Sequence, residues 1–357
     1  MTNRFFFPCA LATSKGVNMR VLTSAVFLLL ATPAMAGPVK SSASKNISLS
    51  RSPLMGVNLS GCEFVDNGAL CPTVSAINTY IDKGFNAFRI PFRGKQASNP
   101  AVIARIKAAA DAAAARGAYV ILDRHDYGNT FDAAGAAWWA GVMKNFPDYR
   151  HVMVDTMNEP KTGRSYEKDS KGKSYATDVN EGIAAFRKAG LKHVLLIEWR
   201  HWAGMQNFNK NEASNKPCSS PACSFDRAGG LKDPLGRTMI SGHRYPDSDG
   251  SGTSATCVNT TASKLIGNTT AAAQARDLKV WVGEFAFGNA KSMSSTCKAV
   301  GQDMVRYMRS LPKTYVGVSW WGGGNGWKED YHYKVEPKKG TFASAADSDY
   351  LKVLVGK

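Results

Sequence analysis

The chain has 357 residues, 44 % of them hydrophobic and 20 % charged, with a formal net charge of +17. Such a balance would suit an acidic polysaccharide, a lipid surface or nucleic acid, but the lysines are dispersed rather than massed beside aromatic residues. The charge therefore reads as a solvated basic surface, and no nucleic-acid partner is expected.

The first 36 residues do not read as folded structure. Met19-Arg20, the apolar run 21–31 and Ala34-Met35-Ala36 describe a secretory signal cut after Ala36. The run is too short to cross a bilayer core of about 30 Å. Met19 alone would begin a normal signal, which makes residues 1–18 an extended lead or an upstream start. Export is expected, to the exterior or the periplasm. No later apolar run is long enough to span a membrane, so none should be engaged after cleavage. Removing Arg4, Lys15 and Arg20 leaves a charge of +14 on the mature part.

Residues 37–52 are rich in Ser and Lys and predict a flexible lead-in. Residues 53–357 then form one domain, large enough to bury about three quarters of its unfolded surface in a single core. Eight short apolar runs are candidate strands: 55–59, 87–92, 119–123, 152–157, 194–199, 239–243, 280–285 and 316–321. Several are apolar throughout, as expected of strands covered on both faces. Helical patterns at 101–116, 133–145, 179–188, 262–277 and 295–311 fall between them. Eight strands with helical patterns falling between them follow the pattern of an α/β, (β/α)8 TIM barrel. An open doubly wound sheet alternates in the same way but usually brings a phosphate loop; neither G-x-G-x-x-G after the first strand nor a Walker loop is present. A single-domain monomer is expected.

Cys9 lies in the signal. Cys62, Cys71, Cys218, Cys223, Cys257 and Cys297 remain, an even number suited to disulfides in an exported chain, with 15 possible pairings. Proximity in sequence favours 62–71 and 218–223, leaving 257–297.

Two acids close apolar strands, Glu159 in Asn158-Glu159-Pro160 and Glu284 in Gly283-Glu284-Phe285. Carboxylates seldom end such strands unless paired or functional. In a barrel, the C-terminal ends of different strands meet at one mouth. Glycoside cleavage needs two facing carboxyls, one protonated to release the leaving oxygen and one ionised to capture the sugar. Arg89 closes the second strand, where it would hold a carboxylate ionised. His125 closes the third, and His243 and Tyr245 the sixth. Tyr245 is suited to donating to the nucleophile, and Asn158 to binding a sugar 2-hydroxyl. Trp199, Trp202, Trp320, Trp321 and Trp327 follow strands five and eight and are candidate platforms for sugar rings. Trp320 and Trp321 must face opposite ways. Trp138 and Trp139 lie in a helix and read as packing.

Six segments, GFNAFRIPF (84–92), VILDRHDYG (120–128), VMVDTMNEP (152–160), GHRYPDSDGSGTSATCV (242–258), VWVGEFA (280–286) and SWWGGGNGW (319–327), together resemble glycoside hydrolase family 5, in particular its branch rich in fungal and bacterial endo-β-1,4-glucanases. The resemblance implies a retaining cellulase acting on β-glucan or cello-oligosaccharides without metal or organic cofactor. Glu159 would be the acid/base and Glu284 the nucleophile, with Arg89, His125, Asn158, His243 and Tyr245 around them. It places the tryptophan beneath the −1 sugar at Trp321, with Trp320 as the fallback. One departure is Asp126, where the family's third-strand motif commonly reads H-N-Y. An extra acid at the mouth would alter a subsite contact or raise the acid/base pKa. Mannan, xyloglucan or mixed-linkage glucan are rival substrates, and a non-catalytic carbohydrate-binding barrel is the rival of another class.

Overall fold

The computed structural model describes residues 37–49, 53–210, 215–289, 292–336, 342–343 and 349–356. The expected signal segment lies outside them. All eight expected strands form: β1 Leu54–Leu59, β2 Ala87–Phe92, β3 Tyr119–Arg124, β4 Val152–Asp155, β5 Val194–Ile197, β6 Thr238–His243, β7 Val280–Phe285 and β8 Tyr315–Gly323. They close in sequence order into a barrel of parallel strands, β8 pairing with β1. No helix among the described residues is long and apolar enough to cross a membrane.

The five expected helices are present as α2 Pro100–Ala115, α3 Ala133–Met143, α4 Tyr175–Lys188, α6 Ala262–Ala275 and α7 Ser295–Ser310. Three more, α1 Val74–Asp82, α5 Pro221–Arg227 and α8 Asp349–Val355, complete the outer layer. They are short, and local chemistry starts two of them: the Thr73 hydroxyl caps α1 and Pro221 opens α5.

Because side chains alternate across a strand, every second residue enters the barrel. Its lower interior holds Leu54, Ala87, Tyr119, Ile121, Met153, Val194, Leu196, Met239 and Trp281, which pack on one another. The intervening residues pack outward under the helices. Continuing the same count towards the C-terminal mouth brings polar residues inside: Asn58, Arg89, Asp123 and His125, Asp155, Glu198, and Ser241 and His243.

The lead-in expectation is corrected. Residues 37–49 are pinned against the barrel's lower end: the Ala43 carbonyl accepts from the Thr238 N–H (2.8 Å), the Asn46 N–H donates to the Gly236 carbonyl (2.9 Å), and Ala43, Ser44 and Ile47 are buried. The polar composition hid two buried apolar anchors, Ala43 and Ile47, four residues apart, with Leu49 packed beside them. β4 is also two residues shorter than expected. Beyond Asp155 the chain bonds irregularly to both neighbours, the Thr156 N–H to Leu196 and the Asn158 N–H to Arg124. It then turns at Glu159, whose φ is 41°.

Cysteines pair as 62–71, 218–223 and 257–297. The last ties the β6–α6 loop to α7 across a separation of 40 residues. Closing a loop of that length stabilises by about 4 kcal/mol. Replacing Cys257 and Cys297 together by serine is expected to lower unfolding stability by about that amount in urea titrations; an unchanged midpoint would contradict it.

Candidate active site

Arg89, fully buried within β2, organises the mouth. Its Nε donates to Asp155 (2.9 Å), Nη1 to Asn58 (3.0 Å) and Glu284 (3.2 Å), and Nη2 to Asn158 (2.8 Å) and Glu198 (3.3 Å). Asp123 lies 3.2 Å from Nη1. One guanidinium thus contacts four carboxyls. Asp155 is pushed well above the usual carboxylate range by burial and by the neighbouring Glu198, with Arg89 opposing.

Above Arg89 stand the two expected acids. The second oxygen of Glu284 accepts from the Tyr245 hydroxyl at 2.7 Å. Glu159 Oε1 bonds His243 Nδ1 at 2.8 Å, and His243 Nδ1 lies 3.6 Å from Glu284. An oxygen of Glu159, an oxygen of Glu284 and a ring nitrogen of His243 all fall within 4.8 Å of one another. Both ring nitrogens of His243 face carboxylates, Nδ1 Glu159 and Nε2 Glu198, the latter at 3.1 Å. The side chains of Glu159 and Glu284 are 15 % and 7 % exposed, enough to meet a ligand from the mouth and little else. Burial raises the Glu159 carboxyl above the ordinary glutamate value; His243 pulls it down and the Glu284 charge pushes it up.

Glycines make room for this packing. A Cβ on Gly283 would sit 2.9 Å from His243 Nε2 and 2.7 Å from Ser241 Oγ. One on Gly252, whose φ is 76°, would sit 2.7 Å from the Tyr245 ring. The β6–α6 loop can fold over Tyr245 only with glycine there.

His125 bonds Asp123 through Nδ1 (2.7 Å) and the Tyr127 hydroxyl through Nε2 (3.0 Å), and the Asn158 amide lies 3.5 Å from Nε2. The Trp321 ring stacks on His125 at 5.7 Å with an interplanar angle of 9°. Trp327 packs against Trp321 on one side and Phe64 on the other, carrying an aromatic wall out along the β1 and β8 loops. Across the mouth, Trp202 is 58 % exposed and meets Tyr127 edge-on. Residues 201–203 all take positive φ, and this left-handed turn lifts Trp202 to the rim.

Some expectations are corrected. Trp320 is fully buried, packed against Phe287 and Tyr350, and bonded to the Tyr333 carbonyl, so the fallback platform is core. Trp199 is core as well. Asp126 is not a free charge: it pairs with Arg124 (2.8 Å) and accepts from the Gly94 N–H (2.9 Å). Glu198, Asp155, Asp123 and Asn58 join the cluster without having been expected. The signal that could have found Glu198 was the rule applied to Glu159 and Glu284, an acid closing an apolar strand (VLLIE, 194–198).

A closed (β/α)8 barrel with two carboxylates facing each other across its C-terminal mouth defines a glycoside hydrolase. The cellulase profile, glycosyl hydrolase family 5, matches residues 47–324, and the chain belongs to that family. It is 29 % identical to a probable endo-beta-1,4-glucanase B of Aspergillus oryzae, over 92 % of this chain and 98 % of the relative. It is 28 % identical to Endoglucanase 3 of Humicola insolens, over 75 % and 67 %. Among solved structures, an endo-beta-1,4-glucanase of Xanthomonas axonopodis pv. citri superposes with a TM-score of 0.71 at 26 % identity, over 85 % of this chain and 98 % of that one. XacCel5A in complex with cellopentaose gives 0.71 at 27 %, over 85 % and 99 %.

Proposed function

We propose that the chain is an exported endo-β-1,4-glucanase that cleaves internal glucosidic bonds with retention of configuration. The observation that carries the mechanism is the approach of the Glu159 and Glu284 oxygens to within 4.8 Å. Retaining enzymes hold their carboxyls about 5–5.5 Å apart, whereas inverting ones leave about 6.5–9.5 Å for a water. Glu284 attacks the anomeric carbon while Glu159 passes its proton to the departing oxygen. Water then opens the glycosyl ester, with Glu159 taking a proton from it. Arg89 and Tyr245 donate to the two oxygens of Glu284 and orient it; Asn158, adjacent to Glu159, has its carbonyl oxygen on Arg89 and would meet a sugar 2-hydroxyl through its amide. Trp321 supports the sugar at the reacting centre. Trp327 and Trp202, on opposite sides of the mouth, extend the platform beyond it both ways, which supports cutting within a chain. The names of the relatives and the cellopentaose complex support a β-1,4-glucan substrate. Reducing-sugar release and viscosity loss on carboxymethylcellulose, compared with mannan and xyloglucan, test the reading. Faster cleavage of mannan would overturn the substrate, and sugar release without early loss of viscosity would overturn internal cutting.

A pH prediction follows from the site. Glu159 is an acid only while protonated, so activity is lost as pH rises through its pKa. Since burial and Glu284 raise that pKa, the alkaline limb of kcat/KM is expected above the ordinary glutamate value. Glu284→Gln removes one raising charge and should make Glu159 titrate lower, as it would in the glycosyl-enzyme. Carbon-13 NMR of the Glu159 carboxyl checks this; an unchanged or higher titration would contradict it.

A further inference from the structure

The inward alternation along β5, Val194 then Leu196, continues to Glu198, a third acid beneath the facing pair. It is fully buried and uses both oxygens. Oε1 faces His243 Nε2 at 3.1 Å and Arg89 Nη2 at 3.3 Å, and Oε2 accepts the Glu159 backbone N–H at 2.7 Å. The Tyr175 hydroxyl fixes its carbonyl from α4 at 3.0 Å. Glu159 has positive φ immediately before a proline, a conformation that needs external support. His243 has a carboxylate at each ring nitrogen, Glu159 at Nδ1 and Glu198 at Nε2. A ring so placed donates both ways.

We propose that Glu198 is a positioning residue for the acid/base step, holding His243 as a two-way donor aimed at Glu159 and anchoring the Glu159 backbone in its left-handed turn. The inference rests on Glu159 being the acid/base. His243 is faced by Asp155 and Glu159 from the β4 side, Glu198 from β5, Glu284 from β7 and Arg89 through the oxygen it shares on Glu198. Burial opposes a charged ring, but Glu198, Glu284 and Glu159 outweigh it and hold His243 well above the usual histidine range. Burial also works against the Glu198 charge, yet His243 and Arg89 bring that carboxyl down to about 2. His243 then neither gives nor takes a proton in the cycle. Its Nδ1–H stays on Glu159, steadying the carboxylate that forms as the leaving oxygen takes its proton and that serves as base in the second step.

Glu198→Gln keeps the shape and removes the charge. An amide has one acceptor atom, so it cannot serve both the His243 Nε2–H and the Glu159 N–H, and one support is lost. The test is nitrogen-15 NMR of the histidine rings across pH, with kcat and KM profiles, on the full chain and on Glu198→Gln. In the native chain the His243 ring is expected to stay doubly protonated through neutral pH. In the variant it should lose a proton near neutrality. The variant's kcat should fall about 10- to 100-fold with KM changed less than about threefold. The alkaline limb should move to higher pH, because His243 lowers the Glu159 carboxyl more than Glu198 raises it. A neutral His243 ring in the native chain at pH 7 would overturn the proposal without any variant. A folded Glu198→Gln whose ring titration and alkaline limb are unmoved would overturn it too, even if slower. The ring titration does not depend on turnover, so it stands apart from a failure of the Glu159 assignment.

Discussion

Glu284→Ala is expected to abolish turnover, by on the order of 10^5-fold in kcat, while cello-oligosaccharide binding measured by calorimetry stays largely intact. The reason is geometric. Glu284 is the carboxylate held by both Arg89 and Tyr245, and among the described residues no other acid at the mouth is held in that way. Shortening it to alanine leaves a space next to the anomeric carbon. Azide entering that space should form a bond to carbon from the face Glu284 used, as Glu159 protonates the leaving oxygen. The product would be an α-glycosyl azide, and its appearance by NMR would identify the missing group as the nucleophile. Survival of native turnover would remove Glu284 from that role. Lost turnover with lost binding would point to collapse of the Arg89 cluster instead.

Glu159→Ala should divide substrates by leaving group. General acid assistance contributes roughly 10^2- to 10^4-fold, all of it needed for a glucan alkoxide and little of it for a dinitrophenolate. Polymer cleavage should therefore fall by about that factor. An activated aryl cellobioside should still form the ester on Glu284 and then stall, because the base for water is gone. The expected sign is a burst followed by a slow steady state, with kcat and KM falling together. Azide, needing no base, should relieve the stall and give a β-glycosyl azide, opposite to the anomer from Glu284→Ala. An equal loss on both substrates with no burst would contradict the dual acid and base role.

Much of this was readable from the residues because the barrel repeats one rule. Continuous apolar runs gave eight strands, and acids or histidines at their ends marked the mouth, so Glu159, Glu284, Arg89, His125, His243 and Tyr245 converge as expected. What failed was local. Trp320 and Trp321 are adjacent and chemically identical in sequence; only the strand's facing decides that one stacks on His125 and the other fills the core. Residues 37–49 read as a solvated tail because their burial depends on two apolar side chains, Ala43 and Ile47, and on backbone hydrogen bonds, which composition does not record. Asp126 looked like a charge at the mouth, but Arg124 two residues before it and the Gly94 N–H take both of its oxygens. Glu198 closes an apolar strand as Glu159 and Glu284 do, but unlike them it has no familiar motif around it to single it out.

The stereochemistry of the first-formed product tests the central claim most directly. Proton NMR during cellopentaose hydrolysis, read before mutarotation, should show the β anomer of the new reducing end appearing first. The α anomer appearing first would mean a water acts where Glu284 stands, and the double displacement across Glu159 and Glu284 would be wrong.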